Sequence, residues 1–150
     1  MRRPLVLAAA TAVACAVPGA AAAATVHFTT PSGNIDCRSD APSDVTCVVE
    51  KGRWANQRPK PARCNWDWSP REVTLTRGGR ITVGGCRGDI GPLCVPGGSA
   101  ADACRTLGYG RSVRIGTMRC ASATAGVTCR TRNGKGRGFR VSRTALRVYR

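Results

Sequence analysis

The chain has 150 residues, with 24 Lys and Arg against 8 Asp and Glu, and nine cysteines. That length allows one domain and leaves no room for a multidomain enzyme. From residue 25 onward, 21 Leu, Ile, Val and Phe make up about 17% of the residues. At this charge so few large apolar groups ordinarily predict disorder, so crosslinks must supply what a thin core lacks.

Met1-Arg2-Arg3 is a short cationic start, residues 4–17 are an apolar stretch too short to span a bilayer, and Ala20 to Ala24 offer small-residue cleavage sites. The order predicts a secretory signal peptide over 1–24, with the mature chain beginning at Thr25. Ala12-Val13-Ala14-Cys15 also resembles the box before a lipidated cysteine, so anchoring through Cys15 is the alternative to release. No later apolar run approaches the roughly 20 residues of a membrane span, and a transmembrane segment in the mature chain is not expected.

Export leads to an oxidising compartment, where the eight remaining cysteines predict four disulfides. Spacing favours pairing in sequence order: Cys37 with Cys47, Cys64 with Cys86, Cys94 with Cys104, and Cys120 with Cys129. Each such closure constrains the unfolded chain by roughly 2.5–3.5 kcal/mol. Closely spaced Cys or Cys/His pairs of the zinc-site kind are absent, so neither metal nor cofactor is expected.

The elements read as strands. Residues 32–47 (S-G-N-I-D-C, then V-T-C) and 116–129 (G-T-M-R-C, then V-T-C) repeat one hairpin unit, with Gly33, Ile35 and Cys37 corresponding to Gly116, Met118 and Cys120. In each unit the apolar residue two before the cysteine shares its strand face, and Val-Thr favours the pleat. Between them, Glu72 to Gly84 predicts a hairpin with a three-residue loop, Arg77 to Gly79. That register pairs Leu75 with Ile81 and Val73 with Val83, gathers the apolar groups on one side, and puts glycine where positive φ is needed. Residues 51–71 and 87–110 read as long loops stapled by cysteines, and Ser142 as the cap of a short helix running to Tyr149. The expected fold is all-β, a small disulfide-rich antiparallel sandwich or partly open barrel of short hairpins.

T-P-S-G-N-I-D-C (30–37), P-K-P-A-R-C-N-W-D-W (59–68), C-R-G-D (86–89), L-G-Y-G (107–110), the cysteines 120 and 129, and G-F-R-V-S-R (138–143) occur in order. Together they resemble a domain-of-unknown-function family of small secreted proteins from high-GC Gram-positive bacteria. The resemblance implies an exported β-rich domain and supplies no activity. Two departures stand out: the Cys94 to Cys104 loop looks like an added bridge, and Lys135 and Arg137 occupy a segment that is shorter in the family pattern.

Catalytic candidates are few. His27 is the single histidine, and a small ribonuclease would have to combine it with Glu50 or Glu72 and an arginine. Asp67 and Glu72 flank Trp68 in a pattern open to a glycosidase, and Trp54, Trp66 and Trp68 to a sugar platform. These are outweighed by salt-bridging carboxylates and packing tryptophans, and no enzymatic activity is expected. Charge is more informative, because residues 103–150 hold twelve cations and no acid. Arg130, Arg132, Lys135, Arg137, Arg140, Arg143 and Arg147 are therefore the expected contacts for an anionic polymer of a cell wall or membrane surface. Non-specific nucleic acid is a further possible polyanion. The alternative function is a protease inhibitor or toxin-like protein that presents the Cys94 to Cys104 loop; its protein partner is unspecified.

Overall fold

The computed structural model describes residues 25–56, 58–88, 93–94 and 104–150. The expected signal peptide, Cys15, and the interior of the Cys94 to Cys104 loop lie outside the described residues. Strands β1 (Val26–Thr29), β2 (Ile35–Ser39), β3 (Asp44–Val49), β4 (Asp67–Thr76) and β5 (Ile81–Arg87) form an antiparallel meander in sequence order. The two-residue β6 (Arg105–Thr106) joins this sheet alongside β1 and is parallel to it. Strands β7 (Ser112–Ile115), β8 (Met118–Ala123), β9 (Gly126–Arg130), β10 (Gly138–Val141) and β11 (Leu146–Tyr149) form a second meander with the same order. The fold is all-β, and neither sheet closes into a barrel.

The repeated hairpin occupies the same place in both sheets. Cys37 lies directly opposite Cys47, and Cys120 opposite Cys129, with Cα atoms 4.1 Å apart in each bridge. Gly33 and Gly116, matched in the sequence repeat, both take left-handed backbone, with φ of 63° and 55°. Further out the correspondence continues: Phe28 pairs with Cys37 where Val113 pairs with Cys120, and Val73 pairs with Cys47 where Phe139 pairs with Cys129. The bulky ring thus occurs in the first strand of one meander and the fourth of the other. Both phenylalanines are fully buried in one core with Val45, Leu75, Met118 and Val141. A core that draws on both sheets makes the architecture a sandwich.

The β4–β5 hairpin has the expected register, Leu75 opposite Ile81 and Val73 opposite Val83, with Gly79 at φ 83°. It is longer than predicted, because β4 starts at Asp67 and a bulge between Ser69 and Val73 absorbs the Pro70 that breaks regular pairing. This extension brings Cys64 and Cys86 together as the third bridge.

Two expectations are corrected here. Residues 142–149 form no helix: Leu146–Tyr149 pairs with β10, and Ser142 Oγ accepts the Ala145 N–H at 3.1 Å in the intervening turn. The hydroxyl that would cap a helix serves equally well in such a turn. Cys94 and Cys104 are also unbridged, so among the described residues three disulfides form rather than four. Burial pushes the Cys94 thiol up, and contact with Cys104 and the Asp36 carboxylate push the same way. The three bridges that form constrain the unfolded chain by about 9 kcal/mol together.

Candidate functional site

Alternation along the second sheet sorts its side chains. Val113, Ile115, Met118, Cys120, Val127, Cys129, Phe139 and Val141 turn toward the core. Their neighbours must then point outward. Those neighbours include Arg114 on β7, Arg119 on β8, Arg130 on β9, Arg140 on β10 and Arg147 on β11. Every strand of the sheet contributes one arginine to its outer face, and the segment from 103 to 150 contains no acid to oppose them.

Register makes the arrangement costly. Arg114 lies directly opposite Arg119, Arg119 opposite Arg130, and Arg140 opposite Arg147. Like charges in such positions destabilise a sheet by roughly 0.2–1 kcal/mol per pair. Neutral contacts hold the guanidiniums without cancelling their charge: Arg119 Nε donates to Ser112 Oγ at 3.0 Å, and Arg140 Nη2 to the Ala125 carbonyl at 3.2 Å. Arg130 reaches across β10 and lays its guanidinium over the Tyr149 ring, 4.1 Å from the centroid. Gly138 opposes both residues, and a side chain there would meet the Cys129 carbonyl and the Arg130 Cα and Cγ. Glycine at 138 is therefore what lets the arginine lie flat.

The remaining predicted contacts fall beside this face. Arg132, Lys135 and Arg137 belong to the β9–β10 loop and, together with Arg77 and Arg150, line a cleft of about 570 Å³. Backbone hydrogen bonds tie this loop down. Thr131 N–H bonds to the Arg137 carbonyl at 2.9 Å, Gly136 N–H to the Thr131 carbonyl at 2.9 Å, and Asn133 N–H to Thr117 across the β7–β8 turn at 2.8 Å. Arg132 and Asn133 both sit in left-handed backbone, at φ 51° and 56°. At Arg132 this costs about 1 kcal/mol relative to glycine. Arg140, Arg143 and Arg147 line a separate hollow of about 390 Å³ near the β10–β11 turn. Of the seven predicted residues, the structure thus places Arg130, Arg140 and Arg147 on the face, gathers three in the cleft, and leaves Arg143 at the rim.

Sequence reasoning passed over Arg114, Arg119, Arg77 and Arg150 as site residues. Strict alternation in S-V-R-I and M-R-C-A-S-A carried the signal for the first two. Nothing local to Arg77 could have found it, because it comes from the β4–β5 turn of the other sheet.

The catalytic candidates do not converge. His27 is buried in β1 with Nε2 3.3 Å from Asp40, which is itself paired with Arg38 at 2.7 Å. Glu72 is buried beside Arg87, 3.1 Å away. Burial raises its pKa while Arg87 lowers it, and the net shift is upward. Asp67 lies exposed at the start of β4. Trp54 donates to the Ser142 carbonyl at 3.0 Å and links the two sheets, Trp68 lies over Gly84, and Trp66 is 65% exposed. They form no common platform. Among the described residues no group of three or more His, Cys, Asp or Glu could hold a metal ion, and no helix is long and apolar enough to cross a membrane.

Fold and site together define a disulfide-crosslinked β-sandwich with one arginine-rich, acid-free sheet face. The chain belongs to a family of unknown function (DUF6636), whose model matches residues 9–149. No curated protein and no solved structure matches it.

Proposed function

We propose that the protein is an exported, non-enzymatic binding module that holds an anionic extracellular polymer on the outer face of its second sheet. The observation that carries this reading is the set of three directly opposed arginine pairs on a face without acids. A sheet under no demand for charge would relieve such pairs with threonine or glutamate. A polyanion lying across the strands removes the repulsion by supplying the missing counter-charge, and arginine's planar fork suits phosphate, sulfate or carboxylate alike. The cationic start, apolar core and small-residue end of residues 1–24 support export, as do three disulfides. A polymer of the cell wall or membrane surface is the partner such a compartment offers.

The test is retention of residues 25–150 on immobilised heparin as a stand-in polyanion, with elution in a salt gradient. Retention should fall steeply with salt and weaken when Arg114, Arg119, Arg140 and Arg147 are replaced by Thr. Unchanged elution of that variant overturns the reading.

A further inference from the structure

The cleft between the β4–β5 turn and the β9–β10 loop differs in kind from the flat face beside it. Arg77, Arg132, Lys135, Arg137 and Arg150 converge on a concavity of about 570 Å³, and no Asp or Glu side chain lines it. Among the described residues none of the five is ion-paired. The cations come from both sheets, so the cleft exists only in the folded chain. Its walls are fixed: the loop is bonded to itself and to Thr117, and the Arg137 side chain packs on Gly79 at the hairpin tip, where an added Cβ would lie 3.1 Å from Arg137 Cδ. Arg132 keeps a long charged side chain in left-handed backbone, where glycine or asparagine would sit with less strain.

We propose that this cleft is a second anion site, specific for condensed phosphate. Five cations around a small concavity call for several negative charges packed close together. Linked phosphoryl groups carry one or more charges per phosphorus and offer oxygens to each guanidinium fork. Sulfated or carboxylated sugars carry their charges less densely than linked phosphoryl groups do. The cleft and the sheet face both bind anions under this account, so the test uses variants that separate them.

Isothermal titration at 150 mM NaCl would compare inorganic tripolyphosphate, a nucleoside triphosphate, and sulfate at matched ionic strength. Tripolyphosphate is expected to bind with one-to-one saturation, at least about tenfold more tightly than sulfate. Arg77→Ser and Arg132→Asn should each weaken it by about tenfold, the loss of one charge-assisted contact. Arg114→Thr with Arg147→Thr, on the face, should leave it unchanged. Equal affinity for the nucleotide assigns the site to a terminal triphosphate, and weaker affinity to free polyphosphate. The absence of saturable binding, equal affinity for sulfate, or equal losses in cleft and face variants overturns the proposal. Arg77 and Arg132 are both exposed, and near-ultraviolet circular dichroism of each variant checks that the fold is kept. The heparin result stands or falls separately, since it reads the face.

Discussion

If the arginine face is kept for binding, removing its charges should make the protein more stable while making it a poorer binder. Arg114→Thr and Arg147→Thr are the cleanest pair of changes. Each residue is exposed, each opposes another arginine, and each lies on an edge strand of the second sheet, β7 or β11. Relief of two like-charge pairs at roughly 0.2–1 kcal/mol each predicts a combined gain of about 0.5–2 kcal/mol, and three strands between the sites let the effects add. For a chain of this size that is about 2–8 °C in Tm. The gain should shrink in 1 M NaCl, where the Debye length falls to about 3 Å. Salt dependence of heparin retention should flatten in parallel, by about one unit of logarithmic slope per lost contact. Arg147→Glu, which faces Arg140 with an opposite charge, should exceed the threonine variant in both respects. Thermal unfolding at low and high salt together with the elution gradient checks all of this. A double variant less stable than the parent at low salt would refute the repulsion, and an unchanged slope would refute the contact.

Gly138→Ala should cost on the order of 2–3 kcal/mol, because the new Cβ meets the β9 backbone, whereas Gly78→Ala, whose Cβ would find nothing nearer than 3.9 Å, should be near neutral; thermal melts compare them. Glu72 titrates higher in the folded chain than in the unfolded one, so stability should fall as pH rises from about 4 through its raised pKa, and Glu72→Gln should flatten that segment of a urea-denaturation pH profile. Replacing Cys120 and Cys129 by Ala should lower stability by about 3 kcal/mol, read from the urea midpoint. Alkylation of denatured, unreduced protein of residues 25–150 followed by mass spectrometry should add two labels, at Cys94 and Cys104, and leave six cysteines bridged; protein that takes no label returns the count to four bridges.

Local pattern carried the strands and their pairing wherever the pairing was short-range. V-T-C after a turn-rich gap, and Leu75 to Ile81 around Gly79, fixed hairpin registers that the structure reproduces. Ser142 misled because a hydroxyl accepting forward N–H bonds fits a helix cap and a tight turn equally, and only pairing with β10 decides between them. Cys94 and Cys104 misled because their spacing matches that of Cys37 and Cys47, whereas only the latter two are set directly opposite each other by strand pairing. The basic character of the last 48 residues was visible as composition. Its division into a flat face and a cleft was not, since Arg77 reaches the cleft from another sheet.

The repeated hairpin unit also bears on whether the arginines reflect coding habit alone. A bias toward arginine codons acts on both halves, yet residues 25–102 hold ten cations with eight acids, and residues 103–150 hold twelve with none. The two meanders share strand order, cross-strand cystines and left-handed glycines, so their outer faces have similar backbone geometry. In the first sheet the strand residues whose neighbours fill the core include Asp36 and Glu72, the latter paired with Arg87, and Arg38 is paired with Asp40 in the loop beyond β2. In the second sheet the position of Asp36 is taken by Arg119, those of Val48 and Thr74 by Arg130 and Arg140, and that of Glu72 by Gly138, with no acid between residues 103 and 150. One scaffold has thus been neutralised on one face and charged on the other. Codon usage predicts arginines in both sheets and no segregation of acids, whereas a binding role for the second sheet requires that segregation.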